Sequence, residues 1–208
     1  MQLSFLEPIV IPKIEPVKGY QVIYCDPPWF YNRRISHENR KTKFASGANG
    51  HYPVMTTDQI CALKIQDIAA RSAMLFMWAT FPCLPDAFKV INAWGFKYCT
   101  VAFNWVKLNS VDNGIFFGVG YYTKSNAEIC LLARRGKAIK PAVDTVSQVI
   151  VSPKMEHSRK PDEARRRIEQ MYPNHSRVEL FARRQIPGWR VWGNEVESDL
   201  EIAISQGV

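Results

Sequence analysis

The sequence predicts an α/β domain with a mostly parallel sheet and helices on both of its faces. Short apolar runs typical of buried strands alternate with segments of helical periodicity, and no internal repeat interrupts them. A chain of 208 residues is long enough to enclose one hydrophobic core. Because prolines recur near the N-terminus, we expect residues 1–19 to form an extended arm and residues 20–208 to form a single domain.

Seven strands are predicted from the apolar runs. The first covers residues 20–25 and ends at Asp-Pro-Pro, because proline has no N–H to continue a sheet ladder. The other six are predicted over residues 72–78, 98–106, 128–133, 146–151, 177–182 and 189–192. Ligands of such sheets bind at the carboxyl ends of the strands, so the polar loops at those ends are the expected functional segments.

Three helices are predicted from their end signals. One begins after the capping sequence at residues 56–58, and a second covers residues 84–94 and ends at Gly95. The third opens at Pro161, with acids in its first turn and bases later, as the helix dipole favours. The polar, basic segment from residue 30 to residue 53 is a long loop, and loops of this length are functional or disordered.

The motif Asp26-Pro27-Pro28-Trp29 carries the clearest chemical signal. Asp26 offers a carboxylate acceptor and Pro27 a carbonyl acceptor, whose direction two consecutive prolines fix. This pair can accept both N–H groups of an aromatic amine such as N6 of adenine, and so aim its lone pair at an electrophilic methyl group. Trp29 would stack on the extruded purine. The alternative is a proline-stiffened turn with Trp29 in the core, which the strand end and the following basic loop disfavour.

The net charge of +8 favours a polyanionic partner. Five cations follow the motif and are expected to contact phosphates beside the extruded base: Arg33, Arg34, Arg40, Lys41 and Lys43. The alternative, a solvated loop without a ligand, is disfavoured by the adjacent motif. For the second basic cluster, at residues 165–167, we expect a solvated helix face.

The cysteines and the N-terminus argue against several classes of protein. Five widely spaced cysteines form neither a CxxC pair nor a Cys/His cluster, so we expect free thiols in a reducing cytoplasm and no metal site. The N-terminus lacks the charged and apolar regions of a signal peptide. No apolar stretch approaches the length of a membrane span, and we therefore expect a cytoplasmic protein with no membrane partner.

Four segments in a fixed order resemble the DPPW-type N6-adenine methyltransferases. This is the family of the catalytic subunit of mRNA adenosine methyltransferase and of its bacterial and phage relatives. The segments are residues 26–29, 126–132, 157–163 and 179–195. The resemblance implies S-adenosylmethionine as cofactor, with S-adenosylhomocysteine as product. It also implies a permuted Rossmann-like fold, in which the catalytic motif precedes the cofactor strand.

The resemblance further implies nine residues that contact the cofactor: Cys25, Asp26, Asn126, His157, Lys160, Phe181, Arg183, Asn194 and Glu195. The first five would lie near the methionine end, and the last four near the nucleoside and its ribose hydroxyls. Cys25 stands where relatives commonly have a small residue, and packing is its expected role. RNA-acting members often carry a lysine before the glutamate that matches Glu128. Ala127 occupies that position here, so Lys124 or Asn126 would replace the lysine.

DNA is the leading expectation for the substrate, because the basic loop favours a polymer over a free nucleoside. RNA is the first alternative. A catalytically silent nucleic-acid-binding paralogue is the second, which the complete motif disfavours; Asp26 likewise disfavours a cytosine-directed enzyme. The chain has no room for a separate recognition domain, so we expect weak sequence specificity, or specificity from a short loop or a second subunit. An apolar face on the helix at residues 84–94 would serve a homodimer.

Overall fold

The computed structural model describes residues 19–30, 54–118, 120, 122–155 and 159–205. Its strands are β1 (Tyr20–Cys25), β2 (Ala69–Ala79), β3 (Lys97–Leu108), β4 (Ala127–Arg135), β5 (Val149–Pro153), β6 (Arg177–Leu180) and β7 (Arg190–Trp192). Its helices are α1 (Thr57–Cys61), α2 (Ile65–Ile68), α3 (Leu84–Ala93) and α4 (Asp162–Met171), with a 3-10 turn over Phe81–Cys83. The seven strands and three helices predicted from the sequence are confirmed, with shifted bounds. The short α2 and the 3-10 turn are additional.

The seven strands form one sheet in the order β5-β3-β4-β2-β1-β6-β7. β4 runs antiparallel to its neighbours β2 and β3, and the other four pairings are parallel. Cys25 pairs with Met77 of β2 and with Leu180 of β6, so β1 and β6 end at the same level and β2 continues two residues further. The predicted mostly parallel sheet is confirmed, and Asp26 lies at the middle of its carboxyl edge.

Local sequence explains where several of these elements begin and end. The two prolines after β1 cannot donate to a neighbouring strand, so the pairing stops there. Thr56 and Gln59 cap α1 reciprocally, with side-chain to main-chain hydrogen bonds of 3.2 and 2.8 Å. Gly95 follows α3 with a φ of 77°, a left-handed conformation that glycine adopts without strain.

Alternate side chains of β1 enter two separate cores. Ile23 and Cys25 pack in the core that α1 and α3 close, whereas Val22 and Tyr24 pack in the core that α4 closes. The alternation follows from the two-residue repeat of an extended strand. Helices on both faces of the sheet are therefore confirmed, and the sheet edge between the two helical layers remains for a site.

Several predicted features lie outside the described residues. They are the arm up to residue 18, the basic residues Arg33, Arg34, Arg40, Lys41 and Lys43, and His157. Within the described part of the chain no helix is long and apolar enough to cross a membrane. The same residues contain no group of three His, Cys, Asp or Glu side chains placed to hold a metal ion. The five cysteines are free thiols, as expected.

Candidate active site

Main-chain hydrogen bonds hold the Asp-Pro-Pro-Trp loop in place. The Pro27 carbonyl accepts from the Trp29 amide at 2.8 Å, and the Pro28 carbonyl accepts from the Met55 amide at 2.9 Å. A carbonyl oxygen has two lone pairs, so Pro27 keeps one for a further donor. The loop thus presents a fixed carbonyl beside the Asp26 carboxylate at the end of β1.

Four charged side chains from separate segments meet beside this loop. Lys160, just before α4, donates to Asp26 Oδ2 at 2.7 Å and lies 3.2 Å from Glu128 Oε2, near the start of β4. Lys107, near the end of β3, donates to the other oxygen of Glu128. Antiparallel β4 starts at the edge where β1 and β3 end, and this topology brings the four together. Two carboxylates and two ammonium groups leave the network without formal net charge.

Burial and charge act in opposite directions on the carboxyl groups of this network. Burial raises the pKa of Asp26 above its usual range, and Lys160 offsets this only in part while Glu128 adds a like charge. Glu128 is desolvated too, but the ammonium groups of Lys160 and Lys107 outweigh burial and lower its pKa. Burial disfavours the Lys160 ammonium, yet Asp26 and Glu128 raise its pKa well above the ordinary value. Asp26 is therefore the member whose ionisation is most easily changed.

Aromatic rings support both ammonium groups. Lys160 Nζ lies 5.9 Å from the centroid of the Trp78 ring, and Lys107 Nζ lies 5.1 Å from the centroid of Trp105. The two indoles meet edge to face at 6.4 Å, and Trp78 Nε1 donates to the Tyr24 hydroxyl at 2.7 Å. Since these rings belong to the buried core, they give the network a rigid base.

The loops after β6 and β7 form a second part of the same edge. β6 ends at Leu180, two residues earlier than predicted, because Phe181 adopts a φ of 59° and leaves the extended conformation. The Ala182 amide donates to the Trp192 carbonyl at 2.9 Å. A Cβ at Gly193 would lie 2.1 Å from the Ala182 carbonyl oxygen, so a side chain there would force the two loops apart.

This close approach brings four predicted cofactor residues together. Arg183 Nε lies 3.5 Å from Glu195 Oε1, and Asn194 is exposed beside Glu195. The Phe181 ring packs edge to face against Trp192, with 5.4 Å between the ring centroids. One cation, one acid, one amide and one aromatic ring therefore share the edge next to β1, and their contact with the cofactor stays a prediction.

Asp162, the first residue of α4, links the two parts of the site. It accepts from Arg165 at 2.9 Å, and also from Arg159 before the helix and Arg184 after β6. Arg165 additionally forms a bidentate ion pair with Glu179 of β6, with distances of 2.8–3.0 Å. The expectation of a solvated helix face is therefore wrong for Arg165, because its guanidinium is enclosed by these acids.

The neighbouring basic residues of α4 are occupied by pairs within the helix. Arg166 and Arg167 both donate to Glu163, one turn earlier, and Arg167 also donates to the carbonyls of Ser147 and Val149. The expected solvated face therefore holds for Arg166, whose side chain is 58% exposed, and is wrong for Arg167, whose side chain is 14% exposed.

Comparison with known proteins gives the family. The MT-A70 family model matches residues 20–195, which is most of the chain. The chain belongs to the MT-A70 family. The resemblance to DPPW-type N6-adenine methyltransferases predicted from the sequence is confirmed.

The relatives of this MT-A70 chain differ in how much of their length it covers. It is 35% identical to the type II methyltransferase M.MunI of Mycoplasma sp, over 93% of this chain and 84% of that protein. It is 26% identical to the human N(6)-adenosine-methyltransferase catalytic subunit METTL3, over 86% of this chain and 28% of that protein. An N6-methyladenosine RNA methyltransferase of Pyricularia oryzae is 29% identical, over 88% and 48%. The chain thus spans most of the first relative and less than half of the other two.

The side chain of Trp29 does not lie where the expected stacking on a purine would require. Its side chain is 6% exposed, packs in the core on the α1 and α3 side, and donates from Nε1 to the Trp78 carbonyl at 3.1 Å. A ring without an open face cannot sandwich a base, so Trp29 positions the loop instead. The neighbouring Phe30 is 44% exposed and is the aromatic face that this loop presents.

Sequence reasoning missed Phe30 and Lys107. Phe30 directly follows the motif and could have been found from that adjacency. Lys107 lies at the predicted end of a strand, where polar residues are informative. It contacts Glu128, whereas Lys124 is exposed to solvent. That Lys124 or Asn126 replaces the lysine of the RNA-acting members stays a prediction.

Two further predicted positions contribute main chain to the structure. The Asn126 carbonyl accepts from the Lys107 amide at 2.9 Å and so fixes the start of β4. The Cys25 side chain is completely buried, as the packing role requires, and only its main chain borders the edge.

Proposed function

We propose that the protein transfers a methyl group from S-adenosylmethionine to the N6 amino group of adenine in DNA. The observation that carries the proposal is the pair of acceptors at the end of β1, the Asp26 carboxylate and the Pro27 carbonyl. The carboxylate is held by Lys160 at 2.7 Å and is 28% exposed, so a substrate can reach it. A target amine would donate one N–H to each acceptor.

The chemistry of the edge fits S-adenosylmethionine. Lys160 and Lys107 would hold the carboxylate of the methionine part, and Asp26 its ammonium, whereas Asn194 and Glu195 would hold the ribose hydroxyls. When bound, the cofactor supplies the electrophilic methyl group. Strands β1, β6 and β7 are consecutive in the sheet, so both ends of an extended ligand lie within two strand spacings, about 10 Å.

The same arrangement supports the permuted order of the fold. The catalytic loop follows β1, the first strand of the chain, and the proposed nucleoside loops follow β6 and β7, the last two. The pairing of β1 with β6 joins the two halves of the site in space although they are about 150 residues apart in sequence.

The residues of this chain would act on the amine as follows. Two N–H bonds directed at Asp26 Oδ and at the Pro27 oxygen withdraw the nitrogen lone pair from the purine ring and leave it pointing away from both acceptors. Positive charge then develops on the nitrogen beside the Asp26 carboxylate, which stabilises it and can take up the released proton. The acceptors need no reorganisation, because Lys160 and the two prolines already fix them.

DNA is preferred over RNA as the substrate because the relative that this chain covers almost completely is a type II methyltransferase. The relatives named for N6-adenosine are covered over less than half of their length. We also propose that the basic residues between 33 and 43 contact the phosphates of the DNA. Replacing one of those cations with alanine should reduce the slope of log Kd against log salt by about one, which corresponds to the loss of one phosphate contact.

Methyl transfer measured side by side on unmodified DNA and RNA oligonucleotides tests the proposal. Labelled S-adenosylmethionine and mass spectrometry of the released nucleosides should detect N6-methyladenine in DNA. Activity on RNA alone would refute the choice of DNA, and a methylated base other than adenine would refute the target atom.

Asp26→Ala tests the role of the carboxylate. It should lower kcat by about 10²-fold or more, since one preorganised acceptor is lost, while cofactor affinity stays within about tenfold. Asp67→Ala, which removes an exposed acid of α2, is the matched control and should leave kcat unchanged. Turnover by Asp26→Ala close to that of the control would contradict the mechanism.

A further inference from the structure

The connection between β3 and β4 forms a small flap beyond the carboxyl edge of the sheet. We define the flap by its described residues, 109–118 and 122–126. Isolated antiparallel bridges join Leu108 to Ile115 and Gly118 to Ser125, so the chain folds back on itself twice between the two strands. The flap is therefore ordered by main-chain pairing although it contributes nothing to either core.

Specific turn chemistry builds the flap. The Gly114 amide donates to Asp112 Oδ1 at 2.9 Å, and Asn113 adopts a φ of 54°, which closes the first turn. Gly118 exchanges main-chain hydrogen bonds of 2.9 and 3.2 Å with Ser125. A Cβ at Gly118 would lie 2.5 Å from the Ser125 carbonyl oxygen, so the second fold depends on that glycine.

The flap exposes large rings to solvent. Tyr122 is 97% exposed and Phe117 is 66% exposed, and Ile115 is also open. Side chains this exposed add little to stability through burial, so their exposure points to a role in binding. Open aromatic faces are the feature with which proteins stack on unpaired bases.

Position and charge indicate what binds there. The flap grows from β4, two strands from β1, which places its base about 10 Å from Asp26 along the edge. Lys124 is exposed on the flap, and exposed Lys154 lies beside it with its Nζ 4.6 Å from the centroid of the Phe116 ring. Asp112 is the one acid among the described flap residues, and it is engaged in the turn. A polyanion with stackable rings fits this combination of aromatic faces and cations.

We propose that Phe117 and Tyr122 stack on bases a few positions from the target adenine, and that Lys124 and Lys154 contact the phosphates of that strand. This inference rests on the proposed function, because it takes the adenine at Asp26 as the point from which the strand extends. At about 3.4 Å per stacked base, a distance of about 10 Å corresponds to the third base from the target. The flap thereby serves as a recognition element for the strand that carries the target adenine.

Fluorescence anisotropy with a labelled single-stranded DNA of about 20 nucleotides, and with its duplex, tests the flap. Phe117→Ala and Tyr122→Ala should each weaken binding about tenfold, because one stacked base is lost. Phe117→Tyr and Tyr122→Phe keep the ring and should bind within about twofold of wild type. Val111→Ala changes a side chain that is 97% exposed in the same flap and is the matched control, without effect.

The salt dependence separates the two kinds of contact. Lys124→Ala and Lys154→Ala should each reduce the slope of log Kd against log salt by about one, whereas the ring variants should weaken binding without changing the slope. A change of slope in the ring variants would contradict stacking.

Two outcomes would overturn the inference. The first is wild-type affinity in both alanine variants. The second is a change from dimer to monomer in sedimentation velocity without a change in DNA affinity, which would make the rings a contact between two copies of the chain. The activity of the wild-type protein separates failure of the proposed function from failure of this inference. If the wild type methylates no nucleic acid, the proposed function is refuted. If it methylates normally and the flap variants bind DNA as tightly as the wild type, only the stacking is refuted.

Discussion

Replacing Lys160 with methionine removes the cation on which the candidate site depends. Its Nζ lies 2.7 Å from Asp26 and 3.2 Å from Glu128, distances that correspond to attractions of about 6 and 5 kcal/mol at an effective dielectric constant of 20. Desolvation of the buried ammonium offsets much of this, and breaking a buried pair costs about 3–5 kcal/mol. The pKa of Asp26, already raised by burial, should rise further, because the cation that favours its carboxylate is lost.

The acid limb of the pH–rate profile is the direct assay. The acceptor must be ionised, so single-turnover methylation at saturating cofactor should decline at a higher pH in Lys160→Met than in wild type. Lys107→Met is the matched control, because Lys107 contacts Glu128 and not Asp26. Its acid limb should stay within about half a unit of wild type.

Stability against pH provides a readout that does not need activity. A carboxyl whose pKa is raised in the folded state contributes stability below its unfolded pKa of about 3.9, and that stability is lost as the pH rises through the folded pKa. The deficit of Lys160→Met relative to wild type in the free energy of urea unfolding should therefore grow as the pH rises above 4. An acid limb equal to that of wild type, or an equal displacement in Lys107→Met, would refute the assignment.

Three further predictions concern the supports of the site. Gly193→Ala should weaken cofactor binding about tenfold or more in calorimetry, because its Cβ would lie 2.1 Å from the Ala182 oxygen; unchanged affinity would show that the two loops can separate freely. Asp162→Asn should lower the free energy of unfolding by about 1 kcal/mol or less and weaken cofactor binding severalfold, whereas a large loss of stability would contradict its surface position. Thr56→Ala should lower the free energy of unfolding by about 1 kcal/mol with kcat unchanged, and a lower kcat would place α1 in the site.

The elements of the fold were predictable because their signals are local. The apolar run of β1, the cap at Thr56 and the glycine at Gly95 each act within a few residues, so the sequence specifies them without knowledge of the partner strands. The flap also has a local signal, because the pair Asn113-Gly114 is typical of hairpin turns. This signal is less conspicuous than the apolar pattern of the two long strands on either side, β3 and β4.

The candidate site was only partly predictable because its contacts are distant in sequence. Lys160 meets Asp26 across 134 residues, and no pattern near either residue encodes that meeting. Trp29 was expected to be open to a base because local sequence carries no information on burial, and Arg165 was expected to face solvent for the same reason. Family resemblance indicated the segments that converge, but not which side chain faces the core.

The opposing effects on Asp26 explain why its partners include both a lysine and a glutamate. Burial alone favours the protonated carboxyl, which is a weaker acceptor for an N–H than the carboxylate. Lys160 alone would bind it tightly as an ion pair, and the strong attraction would weaken its hydrogen bonds to a substrate. Glu128 competes for the same ammonium at 3.2 Å, and Lys107 in turn neutralises Glu128. Asp26 thus has one cation that favours its ionised form and one acid that weakens this pairing, and the carboxylate is the form that accepts an N–H most strongly.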